Sequence, residues 1–385
     1  MDKMTLPKQF EDFSESRRNG FLEVMKLKEE GTIIAGAFCA YTPGEIFDAA
    51  GIKVVGLCGI SEETIPDAER VLPRNLCPLI KSSFGFAITE KCPYFYFSDL
   101  IVGETTCDGK KKMYELFEDM GKSTYVMHLP QGADRSYEID FWKKEIERLI
   151  GYLEDKFDLE ITEEKIRQAV REGNVRRKLR KELFKLQKLS PPPMSGKDMI
   201  VVAEGEEFKI DKAERDSAMR RLIESVKENY DKGNRPIDKS AKRIMITGCP
   251  LGGATEKIGN IIENNGGVIV CYDTCGGTRS SGLFVDEEAD DIVYAIADRY
   301  MKVACSVLTP NKTRLDTMAD LLEEYQIDGV IEVILQACHT YNVEAVRIKK
   351  IVQDEKIPYM CIETDYSQMD AGQISTRVQA FIEML

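Results

Sequence analysis

The chain has 385 residues, with 53 Lys plus Arg against 66 Asp plus Glu, for a formal net charge of −13. That length suits two domains of about 150 residues each with a smaller segment besides, and 43% hydrophobic with 31% charged residues is ordinary for a folded protein. So acidic a chain lacks the clustered cations that nucleic acid or an anionic membrane demands. No apolar run reaches the roughly 18–20 residues of a membrane span, and the start of the chain lacks the apolar stretch of a signal peptide. A cytoplasmic protein with no nucleic-acid or membrane partner is expected.

In chain order, an amphipathic helix is predicted from after Pro7 to about Glu30, with Phe10, Phe13, Phe21, Leu22 and Met25 as its apolar face. Thr32 to Cys39 reads as a buried strand, Pro43 and Gly44 open a helix through Ala50, and Gly51 to Cys58 is a second strand. Cys77 precedes a helical stretch, Asp99 to Cys107 is a third strand, and a helix covers Lys111 to Asp119. Roughly Tyr137 to Lys239 is helical and highly charged, interrupted at Ser190 to Gly196 and free of cysteine, which marks it as scaffold. Its basic run Arg176 to Lys181 is expected to be a solvated helix face. From Ala241 the strand–helix order returns: strands at Arg243–Cys249, Gly267–Cys275, Gly329–Cys338 and around Cys361, helices at Glu256–Asn264 and Arg314–Tyr325.

This alternation predicts an α/β protein of two Rossmann- or flavodoxin-like parallel-sheet domains related as a pseudo-repeat, residues 1–136 and 241–385, joined by the helical segment 137–240. The two halves place cysteines alike: Cys39 with Cys249, Cys58 with Cys275, Cys77 with Cys305, Cys107 with Cys338. Eleven cysteines is an odd and high number, none sits in a C-x-x-C pair, and only His128 and His339 supply imidazole. Zinc ribbons, redox pairs and dense ferredoxin runs are therefore excluded. Carboxyl ends of parallel strands are where such sheets bind ligands, so the pattern predicts thiols from both domains meeting at one site, where thiolates select zinc or iron–sulfur clusters. Scattered ligands from two domains suit the cluster better than zinc. The Gly248 to Thr255 turn resembles a P-loop without its lysine, so an ATP-driven step is assigned to a partner.

The runs Leu72 to Ser83, Gly103 to Tyr114, Val333 to Tyr341 and Gln373 to Glu383 resemble the 2-hydroxyacyl-CoA dehydratase and benzoyl-CoA reductase family over nearly the whole chain. Within it, Lys91 to Asp99 and Thr247 to Gly253 resemble the double-cubane-cluster branch. The resemblance implies an oxygen-sensitive protein of anaerobic metabolism in which Cys77, Cys107 and Cys338 hold iron, either one [4Fe–4S] cluster or half of an [8Fe–9S] double cubane with six cysteine ligands. The two-half pattern offers Cys39, Cys249 and Cys305 as the other ligands, with Cys92 and Cys275 in reserve, Cys58 between the classes, and Cys271 and Cys361 as core.

The implied function is a low-potential reductase of a small molecule, a homodimer fed by a separate ATP-hydrolysing activator that carries its own [4Fe–4S] cluster. The alternatives are a 2-hydroxyacyl-CoA dehydratase subunit with a single [4Fe–4S] cluster, and a non-catalytic electron carrier. His339 is the preferred proton donor, with Glu104 among the polar groups beside Cys107. Asp273, Arg279, Glu363 and Asp365 are expected to be caps or surface charges, and Tyr41, Tyr94 and Tyr96 packing aromatics.

Overall fold

The computed structural model describes Phe13 and residues 15–385. Helix α1 spans Ser16–Glu29 and is followed by β1 (Ile34–Ala37), α2 (Gly44–Ala49), β2 (Lys53–Gly56), α3 (Ile65–Ala68), α4 (Pro78–Ile88), α5 (Pro93–Phe97), β3 (Leu100–Glu104), α6 (Asp108–Asp119) and β4 (Thr124–Met127). Three long helices, α7 (Ser136–Phe157), α8 (Glu163–Leu186) and α10 (Lys212–Asp231), form the middle of the chain with α9 (Gly196–Gly205). The second half then runs β5 (Lys242–Gly248), α11 (Ala254–Asn264), β6 (Gly267–Asp273), α12 (Thr278–Ser281), α13 (Ile292–Met301), α14 (Lys312–Glu324), β7 (Gly329–Leu335), α15 (His339–Asp354), β8 (Tyr359–Thr364) and α16 (Ala371–Glu383).

Both sheets are four-stranded and parallel, with the same order: β2-β1-β3-β4 and β6-β5-β7-β8. Their inner strands are near-continuous apolar runs, as strands covered by helices on both faces must be: Leu100, Ile101 and Val102 in β3, and Val330, Ile331, Val333 and Ile334 in β7 are buried. The order reverses direction between β1 and β3, and again between β5 and β7. These reversals are the switch points at which doubly wound sheets open a crevice past the strand ends.

Several details differ from the sequence reading. Of the expected apolar face, Phe13 is buried ahead of α1 and Phe21 packs against Tyr94, whereas Leu22 and Met25 face solvent and Val24 is buried in their place; Phe10 lies outside the described residues. The strands before Cys107, Cys275 and Cys338 end earlier than predicted, and Ala337 adopts a left-handed φ of 58° in the turn to Cys338. The helix α9 was hidden in the sequence by the proline run before it.

The basic run of α8 is not a solvated face. Arg177 and Arg180 are buried, the first paired with Glu45 of α2 and the second with Glu206, which also takes Arg176 Nε at 3.0 Å. Burial pushes the Glu45 carboxyl up, but Arg177 and Arg299 overcome it and hold it at about 2; Glu206 is held at about 2 in the same way by Arg176 and Arg180. Tyr300 of α13 donates to Glu45 at 2.9 Å, and Arg180 donates to the Gly276 carbonyl at 2.7 Å, so the middle helices are tied into both sheet regions.

The two halves also meet directly. Tyr41 donates to the Val303 carbonyl at 2.9 Å, and Tyr366 reaches the Gly59 carbonyl at 3.4 Å. The Gly-rich turn after β5 is close-packed for this reason: a Cβ on Gly253 would run into the Ile60 carbonyl oxygen of the other half.

Candidate functional site

The cysteines predicted at strand ends do stand there. Cys39 follows β1 and Cys107 follows β3, flanking the first switch point; Cys249 follows β5 and Cys338 follows β7, flanking the second. Four of the cysteines are helix N-caps, one of them Cys92 at the five-residue α5. The other three, Cys77, Cys107 and Cys338, are the N-cap residues of α4, α6 and α15. A helix N-terminus carries roughly half a positive charge and unpaired N–H groups, which favour an anion there by about 0.3–1 kcal/mol each. The Leu79 and Ile80 N–H groups face Cys77, and the Tyr341 N–H faces Cys338. Burial nevertheless pushes the Cys77 thiol up to about 12, with Cys338 adding to the rise. All three thiols are partly accessible, and exposed residues adjoin each: Asn75, Asp108 and His339.

A second set is Cys39, Cys275 and Cys305. Cys305 is buried, its sulfur 3.5 Å from the Tyr341 hydroxyl. Cys275 lies against Cys305 and pulls its thiol below the ordinary range, with Arg279 acting in the same sense, while Cys275 itself is pushed up. Cys39 lies within electrostatic reach of both Cys305 and Cys275. Burial lifts the Cys39 thiol to about 12 against the pull of Lys110, whose Nζ donates to the carbonyl of Phe38.

The sets adjoin through Cys338 and Cys305. Cys249 falls with the first set, beside Cys338 and Cys77, but backbone groups engage its sulfur: the Leu335 N–H donates to it at 3.0 Å, and it lies 3.7 Å from the Val333 carbonyl. Cys58 is exposed and donates to the Phe38 carbonyl at 3.3 Å. Cys92 caps α5 and packs among aromatics, Cys271 is buried in the core, and Cys361 sits partly buried on the edge strand β8. Among the described residues, no three or more His, Cys, Asp or Glu side chains are gathered closely enough to hold a single metal ion. The donor set is all sulfur and drawn from both sheets, which fits a multi-iron sulfide cluster better than an ion held by local pairs.

His339 is the first residue of α15 and exposed, at the accessible set. Glu104 ends β3 wholly buried at the other set. One of its oxygens accepts from the Thr42 hydroxyl at 2.5 Å, and the other has no hydrogen-bond partner among the described residues. Burial raises its carboxyl.

A model of the "2-hydroxyglutaryl-CoA dehydratase, D-component" matches residues 39–385, so the match starts at the first of these thiols and takes in all of them. The chain belongs to that family. It is similar along its length to YjiM of Escherichia coli (strain K12), named only provisionally as a dehydratase subunit: 49% identical over 381 residues, 99% of this chain and 98% of the relative. It is 25% identical to the (R)-phenyllactyl-CoA dehydratase beta subunit of Clostridium sporogenes, covering 98% and 99% of the two chains. It is 22% identical to the beta subunit of (R)-2-hydroxyglutaryl-CoA dehydratase of Acidaminococcus fermentans, covering 99% and 100%. In this dehydratase-family chain no described helix is long and apolar enough to cross a membrane.

Sequence reasoning missed the charges behind the thiols. Asp273 and Arg279 are not caps or surface groups but a buried pair, 2.9 Å apart, and Arg279 Nη1 donates to the Tyr341 hydroxyl at 2.5 Å. Burial pushes Asp273 up, but Arg279 and Arg314 hold it at about 2. Arg314, also buried, reaches Thr247 at 2.9 Å and Glu332 at 3.1 Å. The signal available was placement: Asp273 ends β6, where a charge is seldom idle in a doubly wound sheet, and Thr247 lies one residue before the end of β5.

Proposed function

We propose that this chain is the iron–sulfur component of a low-potential reductase acting on a small molecule, holding a double-cubane [8Fe–9S] cluster between its halves. A separate ATP-hydrolysing activator with its own [4Fe–4S] cluster would supply electrons, and a second copy of the chain would complete a homodimer. The observation that carries the reading is the presence of two adjoining thiol sets where a single [4Fe–4S] cluster needs one.

Cys77, Cys107 and Cys338 would hold one half, and Cys39, Cys275 and Cys305 the other. The sequence pattern alone puts Cys249 in the role that falls to Cys275 in this grouping. The exchange rests on Cys275 lying against Cys305 and Cys39, while Cys249 is engaged by Val333 and Leu335. When bound, such a cluster supplies low-potential electrons, its potential set by charge, hydrogen bonds to sulfur and solvent access. The chain's own part is to hold thiolates at three helix N-termini, to bury the second set, and to present His339 as proton donor at the accessible edge. Glu104, buried beside the second set with one oxygen free of hydrogen bonds among the described residues, would be the polar group at the closed side.

Anaerobic reconstitution with iron and sulfide analysis tests this. About eight irons per chain are expected, falling on Cys→Ser change at Cys275 but not at Cys249. About four irons, lost only on changes at Cys77, Cys107 and Cys338, would favour the second reading, a 2-hydroxyacyl-CoA dehydratase subunit with one [4Fe–4S] cluster. The relatives' names favour that reading.

A further inference from the structure

The two thiol sets differ in the side-chain charge around them. Against Cys39, Lys110 reaches from the first turn of α6, its ammonium buried and bonded to the Phe38 carbonyl next to the cysteine. Against Cys305, Tyr341 places its hydroxyl 3.5 Å from the sulfur, and the buried Arg279 bonds that hydroxyl at 2.5 Å. Arg279 is neutralised only in part by Asp273, since Asp273 also serves Thr247 at 2.7 Å and lies 3.6 Å from Arg314. Among the described residues the helix-capping set shows no counterpart in its hydrogen bonds: Cys77, Cys107 and Cys338 make no side-chain cap bond, and no lysine, arginine or tyrosine side chain is bonded to their sulfurs.

We propose that Lys110 and the Arg279–Tyr341 pair are positioning residues that make the Cys39/Cys275/Cys305 side the end where the first electron resides, leaving the helix-capping side as the end exposed to substrate. The inference rests on the two-set reading above. A buried cation in a low-dielectric surround stabilises added negative charge far more than one in water, and a hydrogen bond to a ligand sulfur acts in the same sense. In the test the donor is an external one-electron reductant, titanium(III) citrate. Each titanium gives up one electron, the protein-bound iron gains one, and no proton need move because the compensating charge is already in place.

The experiment is a stepwise reductive titration of the reconstituted full-length protein, followed by electron paramagnetic resonance, on wild type, Lys110→Met, Lys110→Arg and Tyr341→Phe. Loss of Lys110's charge should make the first reduction about tenfold less favourable, about 59 mV for one electron, with the second step moved less and the iron content unchanged. Lys110→Arg should restore the wild-type step. Tyr341→Phe should move the first step the same way by a smaller amount, and it carries the test if Lys110→Met does not fold. Equal shifts of both steps, or a shift confined to the second, at full iron content would overturn the inference. An iron content near half in wild type would instead sink the two-set reading itself.

Discussion

The rims of the two sheets are built on one strand order and filled differently. At the first rim Glu104 and Lys110 lie behind the cysteines, both buried and with no ion pair between them among the described residues. At the second, Asp273, Arg279, Arg314, Glu332 and Glu344 form a continuous network through Thr247, Tyr341 and Tyr359. Topology decides where thiols can converge, and the charges underneath decide how each will behave. A duplicated architecture thus yields two unlike ends.

The comparison is broken most directly at Arg314. Its side chain is almost fully buried, and removal takes the paired cation from Glu332 and Glu344, leaving them only Tyr359 and Asn311. Arg314→Met should cost about 3–5 kcal/mol in urea unfolding, the scale for breaking a buried ion pair. Lys110→Met takes a buried ammonium from the Phe38 carbonyl, which keeps only the Cys58 thiol, and should cost about 1–3 kcal/mol. Equal losses would mean the rims are alike after all.

Acid should act through the same groups. The carboxyls of Asp273, Glu45 and Glu206 sit at about 2, below their unfolded values, so their stabilisation is full above about pH 4 and fades as pH falls towards 2. The fluorescence of Trp142, buried in α7 and the chain's one tryptophan, should report cooperative unfolding over that window. At the seam, Gly253→Ala should cost about 1–3 kcal/mol by overpacking against Ile60.

Glu263 works in the opposite direction. Burial lifts its carboxyl to about 7 although the Gly196 and Ile269 N–H groups oppose the rise. The folded state therefore binds its proton more tightly than the unfolded state, and stability falls as pH rises from about 4 to 7. Glu263→Gln should recover about 1–2 kcal/mol above pH 7 and nothing below pH 4. Smallest of all, Leu22→Lys on the exposed face of α1 should change stability by no more than about 0.5 kcal/mol.

Much of the architecture was legible because buried parallel strands write themselves as unbroken apolar runs, as in Gly329 to Leu335. Thiol placement followed, since Cys39, Cys107, Cys249 and Cys338 stand a few residues past such runs. The buried charges were not legible. Arg314 meets Thr247 and Arg177 meets Glu45 across 67 and 132 positions of sequence, and charged residues default to the surface unless a partner is known. The grouping of Cys275 with Cys305 was likewise a matter of three dimensions, because the repeat pattern pairs equivalent positions and not neighbouring ones. The α1 face was misread in part: Phe21 packs on Tyr94 as expected, but Gly20 and Val24 make the remaining contact in place of Leu22 and Met25.

The glycine seam has one more effect. With Gly253 jammed against Ile60 and Gly252 beside it at a φ of 50°, neither position admits a larger residue without prising the lobes apart. That hinge line is frozen against drift. Any change in the spacing of the thiols must then come from the turns that carry them, and not from one half sliding on the other.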